Sequence, residues 1–461
     1  MEGLPAQRQP KGAYATTAQP TLHPPTIYSE PTGSSSEVDD KGEPTKAYVL
    51  QPADEGFGAW SYVASAFTMF IVVWGFPQAF PIFQTYLAAG KNAKHRDSLL
   101  LGLLAPGLQD ILEGILFQVL PRSPRYRRTI VVFGILAITA AMFFASIADT
   151  VWQIVLSQGV LFGVGGIMLN FVHVSIFSEW FEQKKSKAMA VIWLGWRVGS
   201  LAFPIVCQWL LDKHGYEKTL RVLIAPMLAL LAPTIVLFRG RYRTATISSQ
   251  PMAPRVSKRT ALRARKIWYN LFVSSLFYFV TNVPTMFIAA FASDLKLSTS
   301  DQAIALSLRA LGDMPGMYLF GWLGNSGSYQ ALMALCALST SLVHCLVWGF
   351  VKTRFGLFAY ALVFGLANGG YTNCMMPFFA EIAGSDGALF TVVHSLFSFL
   401  RGFAILSVGP VGVHLLRLGG EVVTESYAIG KYKYLVAYAS GMTFASGALT
   451  LFSIHFWKPP K

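Results

Sequence analysis

Residues 74–80 have the sequence Trp-Gly-Phe-Pro-Gln-Ala-Phe, and a related segment at residues 282–287 has the sequence Asn-Val-Pro-Thr-Met-Phe. The Phe-Pro-x-x-Phe motif of the first segment thus recurs 207 residues later as Val-Pro-x-x-Phe. Three more matches follow in the same order at offsets of 202 to 209 residues, namely Pro106 with Pro315, Phe162-Gly163 with Phe364-Gly365, and Arg197 with Arg401. An ordered repeat of this length predicts two structurally related halves with a site between them.

The composition indicates that the chain lies in a membrane. Its 461 residues are 53% hydrophobic and only 13% charged, whereas soluble proteins average roughly 25% charged residues. Apolar runs recur from Trp60 to Trp457, and each can cross a hydrocarbon core about 30 Å thick, which takes roughly 20 helical residues. We therefore predict an all-α integral membrane protein with twelve transmembrane helices in two pseudo-symmetric six-helix bundles. The predicted spans are 60–87, 99–120, 129–148, 151–178, 188–211, 220–238, 267–292, 303–323, 329–350, 355–382, 388–416 and 434–457.

The breaks between the apolar runs predict the order of domains. Residues 1–58 are rich in Pro, Ser and Thr and are predicted to form a disordered cytoplasmic tail. A first bundle at 59–238 and a second at 267–457 flank a basic cytoplasmic linker at 239–266, and residues 458–461 form a short C-terminus. Positively charged loops favour the cytoplasmic side, so both termini are predicted to be cytoplasmic in a multi-pass protein of the plasma membrane.

Membrane topology also explains the net charge of +14. Lys and Arg lie in short clusters between apolar runs and form no continuous basic face, so no nucleic-acid partner is predicted. The chain has no Walker lysine, HExxH motif, GxSxG elbow or Cys/His pair at catalytic spacing. We predict that it is not an enzyme and needs neither a cofactor nor a metal.

Polar and charged side chains inside the predicted spans are the candidate site residues. An ionisable group in the bilayer is costly unless it faces water or a partner, so such residues border a transport pathway. The candidates for substrate binding are Gln78, Asn170, Arg197, Asn282, Arg309, Asp313, Asn368 and Arg401, and those for proton coupling are Asp313, Asp110 and Glu113.

Spacing suggests how these groups interact. Arg309 and Asp313 are four residues apart, so they share a helical face and can neutralise each other until an incoming carboxylate displaces Asp313, which then takes up a proton. The alternative is a static ion pair that holds the helix in place. Asp110 and Glu113 are three apart and could form a like-charge proton relay, or serve packing or pair with an arginine.

Arg197 and Arg401 occupy related positions in the two halves, deep within their spans. Two guanidinium groups beside a central cavity favour an anionic substrate, because their planar donor forks match carboxylate geometry. The alternative is that each arginine bonds backbone carbonyls or an acidic residue within its own half.

Several segments together resemble a known family. They are Gly56-Phe57-Gly58-Ala59-Trp60, Gly75-Phe76-Pro77, Gln158-Gly159-Val160-Leu161-Phe162-Gly163, and Trp180-Phe181 before Lys184-Lys185. The sequence is similar to the fungal monocarboxylate-transporter-like branch of the major facilitator superfamily over about residues 54–457. The resemblance implies proton-linked carriage of carboxylates, as in the animal members, although fungal members are diverse.

Two positions depart from the animal members of that family. Those members have a lysine after the Phe-Pro of helix 1, where this chain has Gln78, and an arginine four residues after the Asp-Met pair of helix 8, where it has Met317. Asp313-Met314 is retained, and Arg309 lies one turn earlier. The resemblance therefore keeps a proton-accepting aspartate but weakens the assignment to a short, lactate-like anion.

These patterns together predict a secondary active transporter of a small, anionic, carboxylate-like molecule. Transport would be proton-coupled, as symport or antiport, by alternating access. The expected partners are the substrate, protons and membrane lipid, and a monomer should suffice. One alternative is an efflux carrier for a fungal secondary metabolite, and another is a transport-dead membrane receptor or sensor.

Overall fold

The computed structural model describes residues 53–89, 103–119, 124–181, 184–241, 265–324, 328–383 and 387–456. These ranges contain fourteen α-helices and no β-strand. The helices are α1 (Gly56–Phe70), α2 (Phe80–Ala89), α3 (Leu104–Val119), α4 (Arg127–Ser146), α5 (Val151–Ile154), α6 (Phe162–Trp180), α7 (Lys185–Leu237), α8 (Arg265–Thr281), α9 (Val283–Asp294), α10 (Thr299–Gly324), α11 (Tyr329–Leu342), α12 (Arg354–Ala383), α13 (Gly387–Gly419) and α14 (Lys433–Phe456).

The repeated proline marks an irregular segment in both halves. Between α1 and α2 the chain forms a π-helical turn at Ile71–Gly75 and a 3₁₀ turn at Phe76–Ala79. Pro77 has no N–H group and its ring clashes with the carbonyl four residues earlier, so the regular α-helical hydrogen bonding is interrupted there. In the second half, Asn282 interrupts the rod between α8 and α9, two residues before Pro284. These breaks place the two candidate residues Gln78 and Asn282 on irregular backbone.

Most predicted span boundaries differ from the helix ends by a few residues. The largest difference is α7, which continues through residues 212–219, predicted as a loop. The turn there takes a single residue, Gly215, whose φ of +72° favours glycine. Helix α1 begins at Gly56 after an extended Glu55, close to the predicted start of the first bundle. Residues 1–52, 242–264 and 457–461, which hold most of the predicted tail, linker and C-terminus, lie outside the described residues.

Eight helices of the described residues are long and apolar enough to cross a membrane. They are Gly56–Ala88, Arg127–Ser146, Val151–Phe177, Lys187–Leu237, Arg265–Asp294, Tyr329–Phe350, Leu389–Gly419 and Lys433–Ile454. Because Lys187–Leu237 covers two predicted spans, these eight account for nine of the twelve. The other three correspond to α3, α10 and α12, which are helical, and their crossing of the membrane stays a prediction.

Glycines allow the two halves to approach closely. A Cβ atom on Gly402 of α13 would lie 2.6 Å from the carbonyl oxygen of Gly107 on α3, so the α3–α13 seam tolerates only glycine there. At the α7–α10 seam, Ser307 donates a hydrogen bond to the carbonyl of Leu201 over 2.8 Å. These two seams bring the charged residues of the spans together.

Candidate functional site

Asp313 of α10 is the centre of a buried cluster at the α7–α10 seam. Its Oδ2 accepts a hydrogen bond from Arg197 Nη1 of α7 over 2.6 Å and one from Arg309 Nη1 over 3.3 Å. Arg309 Nη2 also donates to Gln78 Oε1 over 3.0 Å. The Asp313 side chain is fully buried, and Arg197 and Arg309 are 5% and 6% exposed. The Asp313 cluster, formed by these four residues, thus joins three helical rods.

This cluster has one donor and one acceptor without a hydrogen-bond partner among the described residues. Among the described residues, Asp313 Oδ1 and Arg309 Nε have no hydrogen-bond partner. Two guanidinium groups against one carboxylate leave an excess of one positive charge, and a buried net charge is costly until another group compensates it. The arrangement can therefore accept an anion.

A second cluster lies at the α3–α13 seam. Arg401 of α13 donates two hydrogen bonds to Asp110 of α3, from Nε to Oδ2 over 2.8 Å and from Nη2 to Oδ1 over 2.6 Å. Glu113 Oε2 is 3.9 Å from Arg401 Nη2. The Arg401 guanidinium also stands over the rings of Tyr278 and Phe397, 5.7 Å and 5.5 Å from their centroids. Asp110, Glu113 and Arg401 form the Asp110 cluster.

Both clusters link the first half of the chain to the second. Arg197 pairs with an aspartate of the second half, and Arg401 pairs with an aspartate of the first half. The alternative that each arginine bonds a residue of its own half is therefore wrong for both. The pairing of Arg309 with Asp313 is present, but the hydrogen bond from Arg197 is the shorter one.

Within the described residues, none of the three candidate asparagines forms a hydrogen bond with a side chain of either cluster. Asn170 is buried on α6. Asn282 precedes α9, where its carbonyl accepts the backbone N–H of Met286 over 3.0 Å. Asn368 Oδ1 accepts a hydrogen bond from Thr281 over 2.5 Å. The bond between Thr281 and Asn368 joins α8 to α12.

The sequence interpretation missed the partners of the two deep arginines. Asp110 and Asp313 lie 203 residues apart, which nearly equals the 204 residues between Arg197 and Arg401. The same repeat that related the arginines therefore also relates their aspartates, and this offset was the signal that could have predicted two crossed pairs. Met317 was also missed, although its sulfur accepts from Arg197 Nε over 3.1 Å.

Long apolar helices, a repeated architecture and buried charges at the contact between the halves define a membrane-embedded secondary transporter. The family model of the Major Facilitator Superfamily matches residues 114–410. The chain therefore belongs to the Major Facilitator Superfamily, as the sequence motifs predicted.

Known relatives agree with this assignment. The chain is 25% identical over 408 residues to an MFS-type transporter of Gibberella moniliformis, covering 87% of this chain and 90% of that protein. It is 25% identical over 346 residues to monocarboxylate transporter 13 of Bos taurus, covering 74% and 78%. The fold is similar to the crystal structure of the nucleoside transporter NupG, with a TM-score of 0.66 and 13% identity over 87% of this chain and 100% of that one.

Proposed function

We propose that this protein carries a small organic anion of the carboxylate class together with a proton, by alternating access between its two halves. The observation that supports this most directly is the single buried carboxylate of Asp313, which two arginines share. One of these, Arg197, belongs to the first half, and the other belongs to the second. An anion bound here would contact both halves at once.

The anion site would be the guanidinium pair of the Asp313 cluster. A carboxylate offers two oxygens in one plane, which fits the donor fork of arginine. Arg197 now uses Nη1 for Asp313 and Nε for Met317, whose sulfur is a weak acceptor. A substrate oxygen that replaces the sulfur would gain a charge-assisted hydrogen bond, so the anion enters beside Met317.

Exchange of partners would couple the anion to a proton. When the substrate takes the two arginines, Asp313 remains buried without a cation and takes up a proton from the water that enters with the substrate. Release of the substrate to the other side returns the arginines to Asp313, which gives up the proton. A monomer contains every group that this cycle uses.

We place both termini in the cytoplasm and the protein in the plasma membrane. Arg125, at the start of α4, and Arg239 and Arg241, just after α7, are basic residues expected at the same end of the molecule. Trp180 at the end of α6 donates a hydrogen bond to the carbonyl of Arg239, so these helix ends are close. Positive charge gathered at one end favours the cytoplasmic side.

An efflux carrier for a larger, partly aromatic organic anion is the second candidate. The rings of Tyr278 and Phe397 flank Arg401, and Tyr371 stacks on Phe277 with centroids 3.7 Å apart. Aromatic walls beside a cation suit a planar substrate. Cells that overproduce the protein should then accumulate less benzoate than cells without it, whereas an importer would raise accumulation.

Proteoliposomes test the first proposal. We expect an inward proton gradient to drive uptake of a labelled monocarboxylate from a panel that includes lactate, acetate and benzoate. Asp313→Asn should remove the dependence on the gradient while exchange of labelled for unlabelled substrate continues. Arg197→Gln should weaken substrate affinity by about tenfold to a hundredfold, because a hydrogen bond to a charged group contributes about 1.5–3 kcal/mol.

Asp301→Asn is the matched control, since it makes the same substitution on the same helix. Asp301 lies in the first turn of α10, where its Oδ2 accepts a hydrogen bond from the Ser298 hydroxyl over 2.8 Å. This variant should keep gradient-driven uptake. An Asp313→Asn protein that still follows the proton gradient would remove Asp313 from the coupling mechanism.

A further inference from the structure

The Asp110 cluster has one more carboxylate than its arginine can serve. Arg401 gives both of its short hydrogen bonds to Asp110, at 2.8 Å and 2.6 Å. Glu113 lies one helical turn further along α3, with its Oε2 3.9 Å from Arg401 Nη2, beyond hydrogen-bond distance. Within the described residues Glu113 has no other ion-pair partner.

Among the residues that the structure describes, no second cation forms an ion pair with Glu113. The Asp110, Glu113 and Arg401 side chains are 1%, 8% and 14% exposed. The nearby titratable groups are His394 on α13, which is half-buried, and Tyr278 on α8, whose hydroxyl bonds Thr372. On α6, His173 bonds Tyr62 and Glu179 pairs with Arg127.

Charge balance then determines the protonation state of the two carboxylates. Two ionised carboxylates and one guanidinium would leave a buried charge of minus one. Carboxylates that share a site with too little positive charge retain a proton between them. Asp110, which accepts both charge-assisted hydrogen bonds, is the ionised member, so the proton belongs to Glu113.

We infer that the Asp110 cluster is a second proton-binding site, in which Glu113 is protonated in this conformation. Its charge balance is the reverse of that in the Asp313 cluster, where two arginines share one carboxylate. The part that this site plays in transport rests on the proposed function, but its protonation does not.

Movement of Arg401 would transfer the proton. If the arginine moves from Asp110 to Glu113, the O–H bond of Glu113 breaks, and a new O–H bond forms on an oxygen of Asp110. The cluster contains one guanidinium, one carboxylate and one neutral acid before and after the step, so its charge stays zero. The proton has then moved by about one turn along α3. Separation of α3 and α13 during the transport cycle would make this transfer directional.

Infrared spectroscopy of the full chain in lipid nanodiscs tests this inference without any substrate. A neutral buried carboxylic acid gives a C=O stretching band that shifts when water is exchanged for D₂O. We expect this band in the wild type at pH 7 and its loss in Glu113→Gln. Asp110→Asn should lose the band as well, because Arg401 then pairs with Glu113 and ionises it. Arg401→Gln should increase the band about twofold, because both acids become neutral.

Glu179→Gln is the matched control, because Glu179 is also buried and pairs with an arginine, Arg127. Its band should equal that of the wild type. Thermal melting shows which variants are folded, and Asp110→Asn tests the inference independently if Glu113→Gln does not fold. A band that survives in both variants overturns the inference. A protein that shows the band but transports no anion contradicts only the proposed function.

Discussion

The two seams between the halves carry the same ion pair and differ in their third charged group. At the α7–α10 seam, the pair of Asp313 and Arg197 is joined by a second arginine, Arg309. At the α3–α13 seam, the pair of Asp110 and Arg401 is joined by a second acid, Glu113. The repeat has thus preserved the pair and reversed the sign of the excess charge. We propose that the first seam binds the anion and that the second binds a proton.

The register of the repeat explains how the seams came to differ. At the offset of 203 residues that relates Asp110 to Asp313, Glu113 corresponds to Gly316. The first half therefore has an acid at a position where the second half has a glycine. If the halves exchange roles during alternating access, the unequal third groups make the two half-cycles chemically different.

Removal of the shared aspartate should have the largest effect and should separate the two seams. Asp313→Ala leaves two buried arginines without a carboxylate, and loss of one partner of a buried pair costs about 3–5 kcal/mol. Asp110→Ala should cost less, about 1–2 kcal/mol, because Arg401 can turn to Glu113. Unfolding in detergent, followed by tryptophan fluorescence, measures both. Equal losses would show that Glu113 cannot replace Asp110.

Much of the fold was predictable from the sequence. Hydrophobic runs predict helices in lipid because each must satisfy its own backbone hydrogen bonds, and the repeated prolines predicted related halves. The helical turn at Gly215 was not predictable in the same way. The polar residues around it suggested a loop, whereas the backbone there needs only one residue with positive φ to reverse direction.

The candidate site was predictable as a set of residues but not as a set of pairs. Gln78, Arg197, Arg309 and Asp313 were all selected because charged or polar groups are costly in the bilayer. Spacing along one helix predicted the contact between Arg309 and Asp313, since it is local. The contact between Arg401 and Asp110 spans 291 residues and depends on how α13 packs on α3, which hydropathy does not specify.

A glycine substitution should disturb one seam and leave the other unaffected. In Gly402→Ala the new Cβ would lie 2.6 Å from the Gly107 carbonyl oxygen and 2.7 Å from the backbone nitrogen of Ile111. Because backbone atoms cannot move aside locally, α3 and α13 must separate, at a cost of about 1–3 kcal/mol. The melting temperature should fall, and the Glu113 infrared band should change.

Gly441→Ala on α14 is the control, since its Cβ would have no neighbour within 4 Å. Alanine is the better helix former by about 1 kcal/mol, so this variant should be as stable as the wild type or more stable. If Gly402→Ala behaved like Gly441→Ala, the seam at α3 and α13 would be looser than its contacts indicate.

The smallest effect we expect distinguishes the two arginines by their geometry. Arg401 holds Asp110 through two parallel hydrogen bonds, whereas Arg197 holds Asp313 through Nη1 alone. A lysine cannot form the two-pronged contact, so Arg401→Lys should lose about 1–2 kcal/mol of stability. Arg197→Lys keeps one charge-assisted hydrogen bond and should lose about half as much. The melting temperatures of the two variants provide the comparison.

The reverse order would mean that Arg197 gains more from its other contacts than Arg401 gains from its second bond to Asp110. Those contacts are the hydrogen bond to Met317 and the position of the guanidinium over the ring of Trp196, 4.2 Å from the centroid.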